Sequence, residues 1–513
     1  MSRLQGRGPG RARSRRGGRE TRSGHLLSRR QTLLAFSGLT LGMFLAVLNQ
    51  TIIATALPQI VSDLGGLGDF SWVITSYVLA MTVTAPIWGR LSDVHGRRPF
   101  FMAGIVIFLV GAVIGATAGS MGQLIAARTI QGLAAGALVP LALASIGDVV
   151  PASDRGRWQG MHGGVVGTAA IVGPATGGWI VDQADWRWIF LISLPLGLLA
   201  LAVVAVTLRI PRVAGPVRSM DLPGAVLLGG ALLGLMFGIL DWGKSGRVVD
   251  LGTLGPLVVG LVLLAVLVVH ERRVADPFLP IDLLRDAVVR RSGLVLFAVG
   301  VVMFGVTTFV PLFAQGALGA SATQSGLVLM PLLVAMVVTS ILTGAAIARV
   351  GRYRAVIFTG PPLMAAGFVV LTTLDERSAA VSLAGAMLLL GIGLGCVHQN
   401  LLLVMQNAVA RMHLGVVTSG AQSCRTIGGV LGLSITGAIV SASLTTGPAA
   451  SGVLGSDLDA RAALADAIHP LFVAGVPLAV LTSWIALRIP ERPLRGSVLD
   501  DHERTTGPAE AAA

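Results

Sequence analysis

Fourteen separate apolar runs, each close to the ~20 residues a helix needs to cross a hydrocarbon layer, leave this chain few ways to fold. In lipid, backbone N–H and C=O groups must be satisfied internally, so such runs read as helices. The composition agrees: 54% of the 513 residues are hydrophobic, 12% are charged and the mean hydropathy is +0.80. A chain that apolar cannot bury itself in water, which excludes a soluble enzyme. The first run is expected near 33–57, the fifth near 158–181, the sixth near 188–210 and the thirteenth near 416–441.

An even number of crossings places both termini on one side. The tails and the connections on that side hold 31 of the 38 basic residues, and the opposite connections hold 5. The positive-inside tendency then predicts a multi-pass plasma-membrane protein with both termini cytoplasmic. Lys244 is the sole lysine, an arginine bias that fits a GC-rich bacterial genome and hence a bacterial inner membrane. Residues 1–32 contain ten arginines among Gly and Ser, so this tail is expected to be disordered. It would lie near anionic lipid headgroups, at about 1 kcal/mol per basic residue, and no nucleic-acid partner is expected. Ser28–Leu34 (SRRQTLL) looks like a twin-arginine export signal, but the run behind it is too long for a cleavable segment. Cys396 and Cys424, the two cysteines, both fall inside apolar runs and make no disulfide framework.

Sliding the chain on itself by 255 residues superposes Gly89 on Gly344, Gly96 on Gly351, Arg97 on Arg352, Gly160 on Gly415, Gly173 on Gly428 and Gly177 on Gly432. One shift accounts for all six, so a bundle of six helices is used twice. The expected fold is all-α and membrane-embedded: two six-helix bundles, each of 3+3 inverted repeats, with two inserted linker helices. The expected divisions are a tail at 1–32, a bundle at 33–210, a linker with two spans at 211–291, a second bundle at 292–488 and a cytoplasmic tail at 489–513.

Several segments then resemble a known family. Gly89–Arg98 (GRLSDVHGRR) matches the loop signature of the major facilitator superfamily between its second and third helices. Leu124–Gly136 (LIAARTIQGLAAG) resembles its fourth-helix motif, with Arg128 as the arginine, and Gly163–Gly178 (GGVVGTAAIVGPATGG) resembles the fifth-helix motif that marks exporters. Leu48–Pro58, Trp186–Phe190 (WRWIF) and the helix count are similar to the fourteen-helix drug:proton antiporter family. The resemblance spans residues 33–488. It implies a secondary exporter of small hydrophobic or amphiphilic molecules that works by alternating access. The energy source would be a proton gradient, with no cofactor, metal or catalytic residue. Uptake or facilitated diffusion is the alternative within transport, and a non-transporting receptor or scaffold is the alternative outside it.

The same segments carry physical readings of their own. Gly89 and Gly96 permit a tight reversal, and Asp93 can accept charge-assisted bonds from Arg97 or Arg98, making a breakable latch; the other reading is a solvated topogenic loop. Gly163, Gly167, Gly173, Gly177 and Gly178 free one face of the fifth helix from side chains, and Pro174 removes a helical hydrogen bond. That face is expected to be the rocking contact between the halves, or ordinary tight packing. Arg128 and Arg425 are the two basic residues inside the runs, Arg128 near an end where it can snorkel and Arg425 near the midplane. Within the runs Asp241 is the sole carboxylate, so the interior reads as positive or neutral. Where many fourteen-helix relatives have an aspartate in an L-D-x-T-I pattern, this chain has Asn49. His398, beside Gln399, is the mid-membrane histidine, either a titrating group or a hydrogen-bonded packing residue. Asp148 is the better carboxylate candidate, or a helix-end charge. Gly238–Ser245 satisfies GxxxxGKS, but no strand precedes it, so a phosphate loop is rejected.

Overall fold

The computed structural model describes residues 29–65, 69–149, 155–207, 221–245, 250–274, 285–409, 414–446 and 458–492. Of the tails expected at 1–32 and 489–513, residues 1–28 and 493–513 lie outside the described residues, while 29–32 already belong to the first helix. In chain order the helices are α1 (Arg29–Leu64), α2 (Phe70–His95), α3 (Arg97–Ala116), α4 (Met121–Val149), α5 (Arg155–Gln183), α6 (Trp188–Leu191), α7 (Ser193–Thr207), α8 (Leu222–Ser245), α9 (Leu251–Glu271), α10 (Ala287–Gly316), α11 (Ala322–Val350), α12 (Arg354–Thr372), α13 (Ala380–Ala408), α14 (Leu414–Thr446) and α15 (Leu458–Leu487). Fourteen spans among them are long and apolar enough to cross a membrane, and no strand occurs among the described residues. The sixth run is two helices, α6 and α7, that meet at Ile192 and together make one span, Trp188–Thr207. Prolines stand inside α1, α4, α5, α9, α10, α11, α12 and α15. Membrane helices tolerate them because neighbours re-satisfy the freed carbonyls.

The twofold repeat is visible in the packing. In the first bundle α1 packs on α4, α5 and α7, α2 on α4, and α3 on α4 and α7. In the second, α10 packs on α13, α14 and α15, α11 on α13, and α12 on α13 and α15. Replacing α1–α5 and α7 by α10–α15 turns one set of pairings into the other. The α8–α9 hairpin sits between, with α8 against α2 and α14. Gly238, from the rejected phosphate-loop pattern, is a contact point inside this hairpin: a Cβ there would fall 2.8 Å from the Thr253 carbonyl oxygen of α9.

Junctions repeat as well. Gly96 (φ +94°) joins α2 to α3 and Gly351 (φ +73°) joins α11 to α12, both in a region that favours glycine. Just beyond each, an arginine binds carbonyls at the end of that bundle's last helix: Arg98 donates to Ala205 O of α7, and Arg354 to Leu487 O at 2.6 Å. Helix C-termini leave carbonyls unpaired, and these cations satisfy them.

Candidate functional site

α4 carries Arg128 into the first bundle, where it is 0% exposed. Its Nε donates to the Val73 carbonyl of α2 at 3.2 Å, and its Nη1 donates to Gln131 Oε1 at 2.9 Å and to Asn49 Oδ1 of α1. The guanidinium lies 4.3 Å from the Tyr77 ring centroid, and the Tyr77 hydroxyl donates to Ala46 O at 2.9 Å. Asn49 Nδ2 donates to Ser193 Oγ of α7 at 3.3 Å. One cation thus ties together α1, α2 and α4 and, through Asn49, α7. Its partners are dipoles and a ring face, and Arg128 Nη2 and Gln131 Nε2 are buried with no partner among the described residues. The expectation that Arg128 can snorkel is corrected. α2 and α4 approach at Gly132 and Gly136, where an added Cβ would strike the Tyr77 carbonyl and the Thr84 hydroxyl, and the guanidinium is sealed between them.

Arg425 stands on α14, five residues into the span Gly420–Val440. At about 1.5 Å per residue it lies roughly 8 Å from the span's middle, nearer the α2–α3 end than the expected midplane position. It is partly buried; Nε reaches Gln422 Oε1 at 3.3 Å, and Nη1 reaches Met303 Sδ of α10 at 3.9 Å. α10 passes so close that a Cβ on Gly300 would strike the Arg425 carbonyl. His398 of α13 stands within electrostatic reach of Arg425. It is partly buried and makes no hydrogen bond among the described residues. Gln399 is exposed. The side chains of Asp93 and Asp148 lie outside what is described, so neither the latch nor the loop carboxylate has a geometry to report.

The α2–α3 junction departs from expectation in one respect. α2 continues through Gly89 to His95, and a Cβ on Gly89 would meet nothing within 4 Å, so Gly96 alone makes the reversal. Arg97 Nη1 reaches Ser92 Oγ at 3.4 Å.

The glycine face of α5 divides its work. Gly173 and Gly177, one turn apart, face α1 of their own bundle: a Cβ would strike the Thr51 hydroxyl at the first and fall 2.6 Å from the Ile52 carbonyl oxygen at the second. Pro174 and Gly178, a residue further round, face α11 across the seam, where Gly178 meets the Ala322 carbonyl and the Pro174 carbonyl meets Gly326. Gly173 and Gly177 are therefore corrected to contacts within a bundle, because the helical repeat turns successive residues by about 100°. Their counterparts Gly428 and Gly432 face Phe297 and Val301 of α10, the same relation in the second bundle.

Near Gly178 the bundles are also hydrogen-bonded, through residues that sequence reasoning missed. Asp182 Oδ1 accepts from Ala322 N at 3.0 Å and its Oδ2 from Thr323 N at 2.8 Å, while Ser321 Oγ accepts from Gln324 N at 3.2 Å. The α11 N-terminus is thus capped partly by its own Ser321 and partly by the other bundle. Gln315 Nε2 of α10 donates to Thr55 O of α1 at 2.9 Å. At this same α1–α2 end Gly437 of α14 abuts Ser71 of α2, and Phe70 and Phe309 lie 5.7 Å apart. The fifth run was expected to stop at 181, one residue short of Asp182; an apolar count ends at the first charge, although the helix continues to Gln183. For the same reason the spans contain more carboxylates than Asp241. Asp63, Asp182 and Glu271 end their helices, and Asp466 lies near the start of its span.

Comparison with known proteins adds family context. The Major Facilitator Superfamily profile matches residues 39–433. A multidrug transporter protein, MdtP, of Bacillus subtilis (strain 168) is 36% identical over 413 residues, covering 80% of this chain and 76% of its own. Multidrug resistance protein 3 of the same organism is 30% identical, covering 78% of each chain. Among solved structures, an auto-inhibited POT family peptide transporter superposes with a TM-score of 0.65 at 16% identity, over 90% of this chain and 98% of its own.

Proposed function

The chain belongs to the major facilitator superfamily, a family of membrane transporters, and on that footing we propose that it exports small hydrophobic or amphiphilic molecules by alternating access. The observation that carries the reading is the seam between two matched bundles, held together at the α1–α2 end by Asp182, Gln315 and the Gly178–Ala322 approach. Two rigid bodies joined this way can exchange contacts at one end for contacts at the other, and α5 supports both duties, bound to α1 by one face and resting on α11 by the next. The arginine count supports an orientation with both termini in the cytoplasm of a bacterial inner membrane and the α1–α2 end outside, and on that orientation this arrangement is closed to the outside.

Proton antiport is the proposed energy source, resting on the resemblance to the fourteen-helix drug:proton antiporter family; the names of the relatives, a multidrug transporter and a multidrug resistance protein, bear on the cargo alone. Asn49 favours a second reading, facilitated diffusion, because it fills with a neutral amide the place beside Arg128 where the resemblance leads to a carboxylate. Everted membrane vesicles loaded with a pH probe and offered a panel of dyes from the medium decide between them. Export with antiport predicts dye uptake into the vesicles that a protonophore abolishes and that releases protons from the lumen. Dye movement that only follows its own gradient, indifferent to the protonophore, establishes facilitated diffusion, and no movement of any dye returns the receptor or scaffold reading.

A further inference from the structure

We propose that Arg425 is the recognition group of the transport crevice and that it selects molecules bearing an anionic head, such as a carboxylate, on an apolar body. The proposal rests on the reading of the chain as an exporter. It begins from the contrast between the two arginines. Arg128 is sealed, with acceptors from three directions and an aromatic face beneath it. Arg425 is solvent-accessible in part, and its two contacts are both neutral and long, 3.3 Å to Gln422 and 3.9 Å to Met303. A guanidinium has five N–H donors in a fixed fork, so among the described residues most of its bonding capacity is unused.

Its surroundings define the ligand. Polar groups inside a membrane span face a bundle interior or a hydrated crevice, not hydrocarbon, and Arg425 stands on α14, a helix that packs against α2 of the first bundle as well as α10 of its own and so borders the seam. The ionisable group near it is His398, also a nitrogen base. The described carboxylates of the spans, Asp63, Asp182, Asp241, Glu271 and Asp466, lie near span ends. A cation in a low-dielectric crevice with no fixed counter-charge among the described residues attracts anions and repels cations, and the planar fork fits a carboxylate bidentately. Met303 supplies a flexible, polarisable wall suited to apolar bodies of varied shape, and the exposed Gln422 adds an amide donor. The same chemistry would hold a resident chloride, so the test separates the two.

The experiment compares efflux of carboxyfluorescein, an anion, with that of ethidium, a permanent cation, from cells expressing equal amounts of wild type, Arg425→Gln and Arg425→Lys. Wild type is expected to prefer carboxyfluorescein. Arg425→Gln is expected to lose carboxyfluorescein efflux by at least about tenfold, the value of one charge-assisted bond, while ethidium efflux holds or rises. Arg425→Lys, which keeps the charge and loses the fork, should fall between. Equal losses for both dyes in Arg425→Gln, or a wild type that prefers ethidium, would overturn the proposal. If wild type moves neither dye, binding of carboxyfluorescein to purified protein, followed by fluorescence anisotropy, distinguishes the outcomes. Binding lost in Arg425→Gln keeps the site and removes the export reading, whereas no binding in wild type removes the site. Exchanging chloride for gluconate should leave or strengthen carboxyfluorescein binding; if it abolishes binding, the occupant is a resident anion and the assignment to substrate fails.

Discussion

Arg128 and Arg425 are the basic residues that interrupt the apolar runs, and their surroundings give them opposite fates on mutation. Arg128→Ala would leave Asn49 Oδ1 and Gln131 Oε1 without their donor in a fully buried place, at about 1–3 kcal/mol for each orphaned group, and take a second donor from the Val73 carbonyl. The expected outcome is a marked drop in the melting temperature of detergent-purified protein, whereas Arg425→Ala, which orphans neither a buried acceptor nor a tight contact, leaves it nearly unchanged; equal melting temperatures would refute the contrast. Asn49→Asp places a carboxylate against Arg128 and adds a negative charge to the interior, so efflux of ethidium should rise relative to carboxyfluorescein, measured in the same cells. Both arginines could be picked out from the sequence because a charge inside an apolar run is conspicuous. Their difference could not, since it depends on Tyr77, Gln131 and Met303, each an ordinary residue until the helices are packed.

At the scale of helices, the 255-residue self-match already contained the packing scheme: Gly96 and Gly351 are matched positive-φ junctions, and Gly173 and Gly428 matched close approaches to the opening helix of each bundle. What the spacing of α5 concealed was which glycine faces which neighbour. A side chain at Gly173 pushes α1 and α5 apart inside one bundle, so Gly173→Leu should lower the amount of folded protein. Gly178→Leu wedges α5 from α11 instead and should spare expression while abolishing transport and exposing an engineered cysteine at Ala322 to a membrane-impermeant maleimide. Protein yield and labelling rate, taken together, decide it: identical behaviour of the two variants would mean that α5 does not divide its faces. Asp182 escaped notice because a hydropathy run stops at a charge, while a helix stops only when its carbonyls find other partners.

For the whole molecule, the cross-bundle bonds set how long the arrangement closed at the α1–α2 end lasts. Asp182→Ala removes both acceptors that the first bundle offers to α11. A loss of about 1.4 kcal/mol shifts a two-state balance tenfold, so maleimide labelling at the α1–α2 end should quicken by about that factor. Unchanged labelling would show that the apolar contacts alone hold that end shut. The divided cap on α11 has a further consequence. When the bundles part, Ser321 travels with α11 and keeps its bond to Gln324, but the amides of Ala322 and Thr323 lose the carboxylate and turn to the nearest acceptor, which is solvent. Opening is therefore a hydration reaction in which water enters as a stoichiometric partner, and its rate should fall as external water activity is lowered with an impermeant osmolyte, more steeply in the native protein than in Asp182→Ala.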